Sequence, residues 1–216
     1  MTGPTRMKCR ICDTRKPRRY CPGVSGDICS ICCGAEREVS VDCPLDCEYL
    51  AEARLHEKLA EINPEEIPNR DVRVTEEFLR DHEPLLIFLG AKILEATLDT
   101  SRAMDSDVRE ALDTLIRTYR TLQSGLYYET RPTNLVAAAI QQKVQDGVEE
   151  LRKELTEKGA TNVRDAEILG TLVFVQRLAL HHNNGRPRGR AFIGYLRAHF
   201  PHEPKNSSEA PSLIQV

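Results

Sequence analysis

The chain has 216 residues, of which 40% are hydrophobic and 29% charged, and its formal net charge is −3. These values are typical of a soluble globular protein of one or two domains, and they exclude a general polyanion binder, so a nucleic-acid role requires a local basic patch. The first twenty residues hold seven Lys or Arg, and the apolar run at 85–94 is interrupted by Lys92. We therefore expect a cytoplasmic protein with no signal peptide and no membrane span.

All eight cysteines lie between Cys9 and Cys47. In a reducing compartment, clustered cysteines bind metal more often than they form disulfides. Three pairs have the short spacing that supplies half of a tetrahedral zinc site: Cys9 with Cys12, Cys29 with Cys32, and Cys43 with Cys47. Because a segment of about forty residues has little apolar core, metal binding would supply much of its folding free energy.

Cys32 and Cys33 are adjacent, and neighbouring side chains on a helical turn point about 100° apart. The pair is therefore expected to serve two different ions. The sequence predicts two interleaved zinc sites, one formed by Cys9, Cys12, Cys29 and Cys32 and the other by Cys21, Cys33, Cys43 and Cys47. An alternative grouping exchanges Cys29 and Cys33 between the two sites, which requires the adjacent Cys32 and Cys33 to bind the same ion. An iron–sulfur cluster, or a redox-active dithiol at Cys9 and Cys12, is the competing chemistry.

The run KCRIC…RRYCPG…ICSICC resembles the start of a HIT-type or MYND-type zinc finger, over about residues 8–47. The resemblance implies a cross-braced double zinc finger in which the first and third cysteine pairs share one ion. Val24 stands where that family has a cysteine, and Cys33 looks like the replacement ligand. The resemblance also implies a protein-interaction or assembly role without catalysis.

Basic residues crowd the same segment, and six of them lie between Lys8 and Arg19. One hypothesis is contact with nucleic-acid phosphates, with Arg15, Lys16, Arg18 and Arg19 as candidates. The other is that they offset the charge of thiolate-bound zinc, which is favoured because residues 1–50 carry eight basic and seven acidic side chains.

From residue 46 onward the hydrophobic periodicity is helical. Leu55, Leu59 and Ile62 indicate a helix that begins near Cys47. Five residues mark the predicted helix boundaries that follow. Helix starts are expected at Thr75 as an N-cap, at Pro84 in a first turn and at Asn162 as an N-cap, and helix ends at Gly125 and Gly159. We predict a mostly α protein with a small cysteine-rich module at 1–50, a connecting helix and linker at 51–74, a bundle of five to six helices at 75–200 and a disordered tail at 201–216.

Two polar clusters interrupt the helices. The first contains Tyr127, Tyr128 and Arg131 and lies in a loop, where functional residues often gather, so these residues are possible contacts to nucleic acid or a partner. The favoured interpretation is that one tyrosine packs on the bundle. The second is rich in arginine and aromatic residues and contains Arg186, Arg188 and Arg190, a composition that suits single-stranded nucleic acid or an acidic bundle surface.

No catalytic motif occurs in the chain, so we expect a protein that is not an enzyme. The leading prediction is a cytoplasmic protein that binds two zinc ions and docks a macromolecular partner, most simply another protein. The alternatives are a nucleic-acid-binding regulatory protein and a redox-active or iron–sulfur protein. The sequence does not define the partner or the oligomeric state.

Overall fold

The computed structural model describes residues 7–58, 61–126 and 128–202. Within these residues, an antiparallel pair of short strands precedes eight α-helices. The strands are β1 (Arg19–Cys21) and β2 (Gly26–Ile28). The helices are α1 (Ser30–Glu36), α2 (Glu48–Leu55), α3 (Glu76–Asp81), α4 (Glu83–Leu98), α5 (Asp105–Gln123), α6 (Leu135–Glu157), α7 (Asp165–His181) and α8 (Ala191–His199). The predicted fold class, mostly α with a small cysteine-rich module, is confirmed.

The bundle is organised around α5, which packs on α6 and α7, while α4 packs on the same two helices. The apolar face predicted for α5 is buried, as Val108, Leu112 and Leu115 are each at most 1% exposed. Ile140 and Val144 of α6 are equally buried. Burial of these branched aliphatic side chains is the main source of the bundle's stability, because the chain has no Trp and few other aromatic residues.

Local signals in the sequence set most helix boundaries. The hydroxyl of Thr75 accepts a hydrogen bond from the backbone N–H of Phe78 and caps α3. Pro84 occupies the first turn of α4. Gly125 and Gly159 follow α5 and α6 with φ of +78° and +66°, a backbone region that glycine adopts without strain.

The helix after the cysteines differs from the prediction. It begins after Cys47 as expected but ends at Leu55, whose side chain is 83% exposed. Leu50 is the residue of α2 that is fully buried, and it packs into the core of the cysteine-rich segment. The predicted Leu55–Leu59–Ile62 stripe is therefore wrong for Leu55, since α2 faces the cysteines with another side. Leu59 lies outside the described residues.

The start of α7 also differs. Asn162 accepts a hydrogen bond from the backbone N–H of Val163 in the preceding loop and does not cap the helix. The helix begins at Asp165, and the carboxylate of Glu167 accepts a hydrogen bond from the backbone N–H of Arg164 at 3.0 Å. A carboxylate in the first turn also interacts favourably with the helix dipole, which explains the shifted boundary.

Two helical glycines make room for aromatic rings. Gly90 of α4 lies against the ring of Phe200, and Gly170 of α7 lies against the ring of Phe78. A Cβ atom at either position would overlap the ring. No helix among the residues described combines the length and apolar character needed to cross a bilayer.

Candidate metal centre

Four cysteine sulfurs come together in the N-terminal segment. The Sγ atoms of Cys9, Cys12, Cys29 and Cys32 all lie within 4.8 Å of one another. A zinc ion with Zn–S bonds of about 2.3 Å in a tetrahedron requires sulfurs about 3.8 Å apart. This is the predicted first set of ligands, with Cys29 and not Cys33 beside Cys32.

Backbone geometry brings the two pairs together. Cys9 and Cys12 lie in a tight turn, closed by a hydrogen bond from the N–H of Asp13 to the carbonyl of Cys9 at 2.9 Å. Cys29 is the N-cap of α1, and its sulfur accepts a hydrogen bond from the N–H of Cys32 at 3.4 Å. The N–H of Cys29 in turn donates to the sulfur of Cys9 at 3.3 Å. These N–H groups favour the thiolate form that binds metal.

The pKa values of the cysteines in this set are shifted in different directions. The hydroxyl of Thr14, with backbone N–H groups of Arg15 and Thr14, lowers the pKa of Cys12 to about 5. Burial and the neighbouring thiols raise the pKa of Cys32 to about 12. For Cys9, burial acts to raise the pKa, but hydrogen bonds from three backbone N–H groups outweigh it and the pKa is lowered. Negative charge therefore concentrates in a largely buried site, and a bound dication would balance it.

Arg15 contributes to that balance. The interaction of its side chain with Cys29, together with the nearby charge of Cys12, raises the pKa of Arg15. Arg15, one of the predicted nucleic-acid contacts, is thus placed beside the four sulfurs. This position agrees with the hypothesis that basic residues offset thiolate charge.

The other four cysteines lie in the same small core. Cys21, Cys33 and Cys43 are buried, and Cys47 packs against them. Cys33 follows Cys32 on α1, and its sulfur is 3.8 Å from Nη2 of Arg37, so the adjacent cysteines have different surroundings. In the described part of the chain, the Cys9 set is the one group of such ligands that meets the 4.8 Å spacing.

The ionisation of Cys43, one of these other four cysteines, is affected by its neighbours. Burial raises the pKa of Cys43, and the charges of Glu38, Cys21 and Cys47 act in the same direction. A hydrogen bond from the backbone of Glu38 opposes the shift. Cys21 and Cys47 are therefore close enough to Cys43 to influence its ionisation.

A buried carboxylate joins the cysteine-rich segment to the C-terminal helices. Glu38 is 0% exposed and has a left-handed φ of +54°. Its carboxylate accepts hydrogen bonds from Arg54 at 3.0 Å, from Asn184 at 2.8 Å and from the backbone N–H of Arg190 at 2.8 Å. Its carbonyl oxygen accepts another from the N–H of Arg188. We call this group, together with Asp42 and Arg186, the polar junction.

Arg190 is the second centre of the polar junction. Its side chain is only 9% exposed, and its guanidinium pairs with Asp42. It also donates to the carbonyl of Cys43 at 2.8 Å and to the carbonyl of Ala103 at 2.9 Å. One side chain thus links the cysteine-rich segment to the loop between α4 and α5.

The predicted arginine cluster is used largely within the molecule. Arg186 contacts Glu57 at 3.1 Å and Glu38 at 3.8 Å, and Arg190 is buried in the junction. Arg188 is partly buried and donates its backbone N–H to Glu38. These contacts support the view that the cluster serves the fold. Sequence reasoning missed Glu38 and Arg54, because nothing local distinguishes them from ordinary surface charges.

The predicted loop cluster lies between α5 and α6. Thr130 donates its N–H to the hydroxyl of Thr118 at 3.0 Å, which ties the loop to α5. Tyr128 is 66% exposed, and Arg131 pairs with Glu129 at 3.1 Å. Tyr127 lies outside the described residues.

No protein-family model, no curated protein and no solved structure matches the chain.

Proposed function

We propose that the chain is a zinc-binding protein of the interaction or assembly type. Residues 9–47 form a cysteine-rich module that holds two zinc ions, as the HIT-type or MYND-type resemblance implies. The module and the helical bundle present docking surfaces for a macromolecular partner. The observation that carries this proposal is the convergence of four sulfurs within 4.8 Å.

The spacing favours a single ion over a cluster in the first site. A mononuclear tetrahedral centre fits sulfurs about 3.8 Å apart, whereas an iron–sulfur cluster separates its cysteines by several iron atoms. Backbone N–H groups and Arg15 already stabilise thiolate charge there. These cysteines are bound as thiolates in the proposed holoprotein, and their role is to fold the module.

The second ion would be held by Cys21, Cys33, Cys43 and Cys47. Support comes from the burial of these cysteines in one core, from the influence of Cys21 and Cys47 on Cys43, and from the distinct environment of Cys33. A metal bound by these four sulfurs would supply the free energy that brings them to ligand distance.

Native mass spectrometry of the intact chain, purified without added metal, tests the proposal. We expect the mass of two zinc ions with loss of the corresponding thiol protons. Cys12→Ser should remove one ion and Cys47→Ser the other. Ser30→Ala on α1, which changes an exposed hydroxyl and no sulfur, is the matched control. An apo mass, or an increment that includes iron and inorganic sulfide, contradicts the zinc assignment.

A further inference from the structure

Three of the seven acidic side chains in residues 1–50 are paired with arginines elsewhere in the protein. Glu38, Asp42 and Asp46 pair with arginines of α2 and of the C-terminal segment. Arg197, for example, contacts Asp46 at 2.6 Å. The near-neutral total of residues 1–50 therefore includes three acidic charges that arginines outside this segment neutralise.

A basic face is built on the β-hairpin and the first cysteine turn. We define it as Lys8, Arg10, Lys16, Arg18 and Tyr20. Each of these side chains is exposed, and Tyr20 is 61% exposed. In the part of the chain that the structure describes, none of its four basic side chains forms an ion pair within 4.0 Å.

The hairpin fixes the arrangement of this face. The backbone N–H of Arg10 donates to Asp27 and that of Arg18 donates to Ile28, the neighbouring residue of β2. Successive carbonyls of a strand point to opposite edges, which sets the two arginine backbones about 10 Å apart across β2. The side chain of Arg10 crosses Gly26, where a Cβ atom would touch it. Asp27 of β2 and the exposed Asp13 of the first cysteine turn are acidic residues in the same region.

Tyr20 lies on the outer side of the hairpin, directly opposite Asp27 of β2. Strand alternation turns Cys21 inward and Tyr20 outward, and Arg18, two residues before Tyr20, shares the outward side. Arg19 points inward and lies 3.7 Å above the ring of Tyr49, so it serves the fold. An exposed aromatic ring with a basic side chain on the same side of its strand suits an unpaired base beside its phosphate.

We propose that this basic face binds single-stranded nucleic acid, with Tyr20 stacking on a base and Arg10, Lys16 and Arg18 contacting phosphates. The inference rests on the proposed function, because the metal-folded module holds the face in shape. The nucleic-acid alternative drawn from the sequence also included Arg186 and Arg190. The present proposal leaves them out, because both side chains form contacts within the polar junction.

The test is fluorescence anisotropy of labelled U20 and dT20 oligonucleotides with the full zinc-loaded chain, at salt concentrations between 50 and 200 mM. The variant Arg10→Gln/Lys16→Gln/Arg18→Gln should bind about 100-fold more weakly at 0.1 M salt, and its salt slope should fall by about 2, as expected for three lost phosphate contacts. Tyr20→Leu should weaken binding about 5- to 100-fold through lost stacking.

The matched control is Arg70→Gln/Arg73→Gln/Arg80→Gln, which removes the same charge from three exposed arginines that precede or lie on α3. It should leave affinity and salt slope unchanged. Equal losses in the two triple variants, or equal affinity for a duplex, overturn the inference. Displacement by polyglutamate at equal charge concentration would also overturn it and indicate an acidic protein partner.

Zinc content is measured on the same samples by native mass spectrometry. Wild-type protein without zinc contradicts the proposed function itself. Wild-type protein that retains zinc and binds neither oligonucleotide contradicts only the nucleic-acid inference.

Discussion

Replacing Glu38 by glutamine should destabilise the protein strongly, although the two side chains have nearly the same shape. The carboxylate is fully buried and accepts three hydrogen bonds, one from each of Arg54, Asn184 and Arg190. A glutamine amide keeps one acceptor oxygen and turns an N–H₂ group toward groups that are themselves donors. The charge that neutralises Arg54 is lost as well.

The expected loss follows from these contacts. A hydrogen bond to a charged group contributes about 1.5–3 kcal/mol. A glutamine oxygen in the place of Oε1 keeps the bonds from Arg54 and Arg190 and loses the one from Asn184. Removing one partner of a buried ion pair costs about 3–5 kcal/mol, so the lost charge is the larger contribution. We therefore expect the free energy of unfolding to fall by about 3–5 kcal/mol.

Urea unfolding followed by circular dichroism measures this loss. With a slope of about 2 kcal/mol per molar urea, the midpoint should fall by about 1.5–2.5 M. Glu52→Gln, on the exposed side of α2, is the control and should shift the midpoint little. A double-mutant cycle with Arg54→Met should give a coupling of about 1–3 kcal/mol. A loss below about 1 kcal/mol for Glu38→Gln would refute the view that this carboxylate holds the module to the bundle.

Three further predictions concern the metal, the packing and the titration of the bundle. A strong chelator should make all eight cysteines react with an alkylating reagent, as counted by mass spectrometry, whereas the metal-loaded protein should stay protected. Gly90→Ala should lower stability by about 1–3 kcal/mol in thermal unfolding because its methyl group overlaps Phe200, and adding Phe200→Leu should restore part of the loss. Burial raises the pKa of Tyr119 to about 12 from 10.0, so its contribution to stability is complete below pH 10.0 and is lost as the pH rises through about 12. Phenolate absorbance should show one late-ionising tyrosine that is missing in Tyr119→Phe.

The sequence predicted those parts of the fold that depend on short-range order. The apolar periodicity of α5 and α6, and the glycines that follow them, identified long amphipathic helices. The start of α7 at Asp165 was missed because a first-turn glutamate competed with Asn162 as the capping group. The exposure of Leu55 was missed because α2 is too short for its periodicity to indicate which side is buried.

The candidate site, too, could be predicted only in those parts that are formed by residues close in sequence. Adjacent cysteines and paired C-x2-C spacing predicted the set of four sulfurs, since ligands close in sequence have few possible arrangements. The polar junction could not be predicted, because Glu38 is 146 residues from Asn184 and 152 from Arg190. The sequence alone does not indicate which of the 33 acidic residues would pair with the segment that contains Asn184 and Arg190.

The order in which the chain is synthesised gives the polar junction a further consequence. The four sulfurs of the first site lie within the first 32 residues, so on the ribosome they can bind metal before any bundle helix has formed. The partners of Glu38 at 184–190 are among the last residues of the described chain to be made. Contacts between residues so far apart in sequence form late in folding. Glu38 of the nascent module therefore stays hydrated until the C-terminal helices fold onto it.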